Sequence, residues 1–461
     1  MASKIAKIGI TNELISGRGG LGLFLRYVNK IDFYRLIEGI VSPQLTLGHK
    51  GLKLRQFIKQ ILAYFMDGTH MSLSGFEQKK NDKSYAAILE NTLGEMASSH
   101  QIKRYFTKLS VLPEVYLRKV LHQLFLWRLG LEKPSVIKLF VDTMVMDNDL
   151  SKKKEGNGLT YKKKFGFQPL HIIWNNFIVD AMFRHGTAHS NHGTDFTDRV
   201  GDIVKLIRDR YSESIPIILC ADGGFSGDEA FKYFEETLKI HFIINSKVYP
   251  AAKDFIEAAP DEAFLKFDNG QKSWGYIEFG NKLKVWNKFR RCIFTRIDRE
   301  EDGQYILGNC KSDSFLYTNL GLCKEADENL KKAGGQKYFS AKSIIAISHA
   351  KGKDEQVHRS IKELATKEQL PFKRFGMNRV YYFLLIFSHF IFESYKSDVA
   401  KGIIARRAYP NTFRRLLIDF AVKLTSQARY IILKVERVTF DNLKVKLIWE
   451  RCQSPPKIQF E

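Results

Sequence analysis

Val136–Thr143, VIKLFVDT, is the stretch whose reading decides the fold. It follows Pro134 and consists of a short β-rich run, Val136–Val141 (VIKLFV), that ends at Asp142 and Thr143. A short apolar run of this kind predicts a buried strand. Downstream, Phe167–Trp174 and Phe177–Phe183 flank Asn175 and Asn176, the pattern of two strands joined by a tight turn. Asp195–Arg210 then carries Val200, Ile203, Val204 and Ile207 as one helical stripe. Ile215–Cys220 (IPIILC) is a further apolar strand, and it delivers a second aspartate, Asp222, with Gly223 and Gly224 behind it. A helix over 228–238 and a strand at His241–Asn245 complete the run.

Three strands, a helix, a strand, a helix and a strand predict an α/β fold: an RNase H-like mixed sheet flanked by helices. In that order the first and fourth strands lie side by side, so Asp142 and Asp222 are expected to be neighbours. A third acid comes from His349–Ala365, HAKGKDEQVHRSIKELA. If helical, this stretch places Glu355, Arg359 and Lys362 on one face and Val357, Ile361 and Leu364 on the other. Taken alone, such spacing is also how ordinary surface helices support themselves. Likewise Asp142 by itself reads as a cap, and Asp222 with Gly223 as a tight turn.

Around this core the chain divides into a helical, DNA-binding N-terminal domain (residues 1–130), the first part of the core (131–249), a β-rich insertion (250–337), the second part of the core (338–400) and a basic C-terminal segment (401–461). The insertion is read from alternating runs at Trp274–Phe279, Leu283–Trp286 and Cys292–Ile297. Ile344–Ile347 is expected to return to the sheet as a short strand. Asn378 is expected to cap a buried helix, Arg379–Ser394, and Asn411–Leu424 to form a final Arg-rich helix. Gly17–Gly22 (GRGGLG) lacks the G-K-[ST] of a phosphate loop and reads as a turn before a helix at Phe24–Lys30.

The 461 residues carry 73 Lys and Arg against 50 Asp and Glu, a formal charge of +23. A polyanion is the natural partner, nucleic acid first. Residues 1–130 hold 19 basic and 9 acidic side chains, and residues 401–461 hold 13 and 5, so basic ground flanks the core. Lys103 and Arg104, on a helix opened by Ser98, and Lys162, Lys163 and Lys164 are candidate phosphate contacts; a solvated basic face is the alternative. Five scattered cysteines without a C-x-x-C pair predict reduced thiols and a cytoplasmic setting. The N-terminus lacks the apolar core of a signal peptide, and the most apolar run, Tyr381–Phe392, is too short to span a bilayer. His185, His189 and His192 are spaced like helical ligands, but Gly186, Ser190 and Gly193 interrupt the helix that would present them to zinc.

Three acids from separate elements suit phosphoryl transfer. Two Mg²⁺ ions, with Mn²⁺ able to substitute, take hard carboxylate oxygens, and one bridging acid plus one further acid per ion makes a complete site. Asp142, on the central strand, is the expected bridge. At this point the sequence resembles a DDE transposase of a bacterial insertion sequence. The resemblance runs through VDTMV, YKKKFGFQPLHII, LCADGGFSGDEAF with FIINSK, YTNL, KDEQVHRSIKEL and PFKRFGMNRVYYFLLIFSHFIFE. It implies that Asp142, Asp222 and Glu355 are the catalytic, metal-binding triad, acting on double-stranded DNA at terminal inverted repeats and at a target, in a nucleoid-associated homodimer with no membrane partner. The family signature Y-x2-R-x3-E-x6-K is matched at Glu355 and at Lys362, its DNA-phosphate contact. Its arginine place holds Lys351 and its tyrosine place Ser348; an ammonium attracts phosphate without arginine's bidentate fork. The β-rich insertion is also similar to that of members that form a DNA hairpin and stack a flipped base on tryptophan, which would make Trp274 and Trp286 DNA contacts; burial within the insertion is the competing reading. The alternatives to a transposase are a non-catalytic descendant that only binds DNA and an RNase H-like nuclease without strand transfer.

Overall fold

The expected strand at Val136 forms as β1, Ile137–Thr143, in a computed structural model that describes residues 4–46, 51–188, 193–270, 272–284, 286, 288–297, 300–301, 304–305, 314–365 and 368–460. β2 (Leu170–Trp174) and β3 (Phe177–Met182) form the expected hairpin. It turns at Asn175, whose φ of 54° lies in the left-handed region that asparagine tolerates. β4 (Ile217–Ala221) and β5 (His241–Ser246) follow. β1 pairs antiparallel with β2 and parallel with β4, and β4 pairs parallel with β5. The order β3-β2-β1-β4-β5 is the RNase H-like arrangement expected from the sequence. Asp195–Arg210 buries its stripe of Phe196, Val200, Ile203, Val204 and Ile207.

The segment read as a separate β insertion extends the same sheet. β6 (Leu265–Asp268), β7 (Ser273–Asn281), β8 (Arg290–Ile297) and β9 (Ser314–Thr318) are antiparallel neighbours, and β9 pairs with β5. The result is one nine-stranded sheet, β6-β7-β8-β9-β5-β4-β1-β2-β3. No strand forms among the described residues of the run expected at 283–286, where the Trp286 N–H donates to the Leu283 carbonyl at 2.9 Å. Ile344–Ile347 is helical too, inside Ala341–Ala350. The Ser340 hydroxyl caps that helix by accepting from the Ser343 N–H, and Ile344, Ile345 and Ile347 are buried in a cluster with Leu320, Leu330 and Leu316. Tertiary burial and a cap override the strand preference of isoleucine.

All nine strands belong to one of two compact units, Leu121–His358; the other combines Met1–Val120 with Arg359–Glu461. The two ends of the chain therefore fold together, where the sequence suggested an N-terminal domain and a distinct C-terminal segment. In that second unit the central element is Phe375–Asp398, eight residues longer than the helix expected at Arg379–Ser394. It is the one helix among the described residues long and apolar enough to cross a membrane, and 83% of its most apolar window is buried within the protein. Asn378 lies inside it and is no cap: its side chain exchanges 2.9 Å hydrogen bonds with the N–H and carbonyl of Phe372. The helix expected at Asn411–Leu424 stops at Ile418, and Val422–Gln427 pairs with Tyr430–Val435 as a hairpin. Alternation of Val422 and Leu424 with Lys423 and Thr425 is the period-two signal that the arginines before it masked.

The glycine-rich N-terminal stretch has a packing role. The first helix begins at Gly19, and a Cβ on Gly20 would lie 1.6 Å from the Leu417 carbonyl oxygen. His189 and His192 of the histidine cluster lie outside the described residues, as does Cys310; the four described cysteines are free.

Candidate active site

The register of the central strands sets the site. In the parallel pair β1–β4, Val141 faces Ala221, so the next residues, Asp142 and Asp222, emerge at the same level from neighbouring strand ends. On the other side of β1, Asp142 is paired with His171 of β2. The third acid, Glu355, is exposed on the helix Gly352–Leu364, one turn after Lys351. Its buried residues Val357, Ile361 and Leu364 are the apolar face expected from the sequence.

Electrostatics ties the three acids together. Burial pushes the Asp142 carboxyl above the usual carboxylate range. The Lys351 ammonium opposes the rise, the negative charge of Asp222 reinforces it, the Thr143 N–H donating to Asp142 Oδ1 at 2.8 Å opposes it, and Glu355 adds to it. Asp142 thus feels both other carboxylates. Tyr161, on the exposed segment that follows β1, reports the same field: its hydroxyl is shifted up by partial burial and then by Asp142 and Asp222.

Two residues that sequence reading passed over touch Asp142 or its partner. His358, three residues after Glu355, brings Nδ1 to 3.8 Å from Asp142 Oδ2. Its Nε2 lies 3.3 Å from Nδ1 of the fully buried His171. The histidine pair thus links the Glu355 helix to the β1–β2 strand pair at the acid. The i,i+3 spacing of Glu355 and His358 was the available signal, but the strand partner was invisible without the register.

A cation already stands at these acids. Lys351 Nζ lies 2.5 Å from Asp222 Oδ1, and the lysine side chain is 15% exposed against 54% for the aspartate. Among the described residues no three His, Cys, Asp or Glu side chains are gathered closely enough to chelate one ion. The three acids feel one another's charge without forming a closed chelate. Their donor set, hard carboxylate oxygens beside a positive charge already in place, suits a hard divalent cation.

Lys164 pairs with Asp147 at 2.6 Å, Lys163 sits in the left-handed region at φ 56°, and Lys162 lies 5.8 Å from the Tyr161 ring centre. Lys362 pairs with Glu368 at 3.0 Å. Arg359 pairs with Glu363 at 2.9 Å and stacks 4.1 Å over the Tyr409 ring. Lys103 and Arg104 are exposed on Ser99–Leu109, which Ser98 and Gln101 close with a capping box. Trp274 and Trp286 are corrected outright: they are 9% and 4% exposed. Trp274 packs 4.6 Å from the His349 ring and Trp286 4.7 Å from the Tyr317 ring, so neither presents a free face to a base. Both serve the unit's core, as large aromatics with such neighbours do.

No curated protein matches the chain. Seven solved chains do. One is a cryo-EM structure of the piggyBac transposase synaptic complex with hairpin DNA, 11% identical with a TM-score of 0.39, matched over 95% of this chain and 83% of that one. The family described as transposase DDE domain group 1 matches residues 5–453, nearly the whole sequence. The chain belongs to that transposase family.

Proposed function

We propose that this transposase cuts and joins DNA at the ends of its own bacterial insertion sequence, with Asp142, Asp222 and Glu355 as its catalytic acids. The observation that carries the reading is the level placement of Asp142 and Asp222 on adjacent parallel strands, within the electrostatic field of Glu355. Divalent ions, when bound, supply charge neutralisation at the phosphodiester and an activated oxygen nucleophile. Asp142, whose carboxyl feels both other acids, would hold these ions together with Asp222 and Glu355. His358 reaches the Asp142 carboxylate from the helix side, and His171 on the neighbouring strand meets the other nitrogen of that imidazole. Lys103, Arg104, Lys162, Lys163, Lys164, Arg359 and Lys362 are assigned to the backbone of double-stranded DNA, and the chain's charge of +23 favours a polyanion of this kind. Water attack exposes a 3′ hydroxyl at the element end, and that hydroxyl attacks target DNA. A homodimer holding two ends in the bacterial nucleoid completes the reading.

The test uses the full chain, Mg²⁺ and a duplex carrying the inverted repeats that flank its reading frame. Release of 3′ hydroxyl ends followed by joined product is the expected result. Cleavage without joining points to an RNase H-like nuclease; binding without cleavage points to a non-catalytic descendant.

A further inference from the structure

We infer that Lys351 is a resident counter-ion of the acid site, holding Asp222 while no divalent ion is bound and yielding it when one enters. The inference rests on the metal-dependent reading above and adds a competitor that belongs to the chain itself. Three observations carry it. The Lys351 ammonium sits 2.5 Å from Asp222 Oδ1 and is close enough to Asp142 to act on its carboxyl. Its Nζ is buried and has no hydrogen-bond partner besides this ion pair among the described residues, so Asp222 is the contact that a doubly charged ion would have to win from it. Asp222, by contrast, is half exposed and open to such an ion.

The position of the lysine in the chain makes the exchange local. Lys351 is the single residue between the helices Ala341–Ala350 and Gly352–Leu364, and Glu355 follows one turn later. The same short segment therefore presents the internal cation and the third acid. A lysine suits this task better than an arginine, because its compact ammonium on a flexible four-carbon stem leaves a carboxylate without breaking a bidentate pair. Without any cation, three converging carboxylates would repel one another. With the lysine in place the acids stay close at the cost of weaker ion binding.

The test is direct binding of Mn²⁺ to the full-length, DNA-free protein, followed by calorimetry and by the electron paramagnetic resonance signal of free Mn²⁺. Lys351→Met is expected to bind Mn²⁺ about tenfold more tightly than wild type, the scale of removing one adjacent like charge from a partly screened site. Lys351→Arg retains a cation that is harder to displace and is expected to bind Mn²⁺ no more tightly than wild type. Lys351→Gln serves the same purpose as the methionine variant if that variant folds poorly. Unchanged or weaker Mn²⁺ binding in both neutral variants overturns the proposal. The acid assignment is judged separately: Asp142→Asn and Asp222→Asn must each weaken Mn²⁺ binding. If they do not, the metal-site reading itself fails, and the counter-ion role falls with it.

Discussion

Asp142→Asn is expected to reduce strand cleavage at the element ends by about 10³-fold or more, since in the proposed mechanism this acid would hold ions that supply several kcal/mol of charge stabilisation. Asp222→Asn should match it. Binding of the same DNA, measured in a non-cleaving ion such as Ca²⁺ at fixed salt, should change by no more than about threefold, because phosphate neutralisation by Lys and Arg supplies most of the affinity. The split between cleavage and binding is the informative quantity. A folding defect would lower both, whereas loss of an acid that only holds metal lowers one. Desolvation and two acidic neighbours raise the Asp142 carboxyl, and an asparagine there carries no charge to be desolvated or repelled. The asparagine variant should therefore fold without difficulty.

Arg414→Met is expected to destabilise the Met1–Val120 and Arg359–Glu461 unit by about 3–5 kcal/mol, the range for breaking a buried, hydrogen-bonded charge. Arg414 is 6% exposed, and burial lowers its guanidinium to about 10. Its Nε donates to the Met66 carbonyl at 3.0 Å and its Nη2 to the Phe65 carbonyl at 2.5 Å, at the end of Leu54–Asp67. Its Nη1 donates to the Glu363 carbonyl at 2.9 Å and to Asn411 Oδ1 at 2.8 Å, and Nη2 reaches the Leu364 carbonyl at 3.3 Å. One side chain thus satisfies the orphan carbonyls at two helix ends, and the second of these helices carries Glu355 and Lys362. Methionine fills the volume and leaves those carbonyls without donors. Denaturant unfolding followed by circular dichroism measures the loss; a change below about 1 kcal/mol would contradict this role.

How much of this was legible beforehand follows from how local each signal is. Val136–Thr143 and Ile215–Cys220 announced themselves as strands because both are short apolar runs ending on turn residues, and element order alone then made them neighbours. The helix at Glu355 was readable because its apolar face keeps helical spacing at Val357, Ile361 and Leu364. By contrast, Ile344–Ile347 misled because isoleucine favours strands locally, while the Ser340 cap and the packing around Leu330 decide the helix. The tryptophans were ambiguous for a similar reason: an aromatic in an alternating strand serves core and ligand equally until its neighbours are known. Lys351 read as a phosphate contact from spacing alone, since nothing in the linear sequence joins it to Asp222, 129 residues earlier. His171 and His358 were missed because their meeting depends on the β1–β2 register and on the docking of a helix 187 residues away.

The most direct measurement of the central claim is an anomalous-scattering map of the full chain crystallised with Mn²⁺ and a DNA end. The account predicts peaks bound by Asp142, Asp222 and Glu355 carboxylate oxygens, with Lys351 withdrawn from Asp222. Peaks lying elsewhere, with Lys351 still paired to Asp222 and Glu355 unliganded, would contradict it.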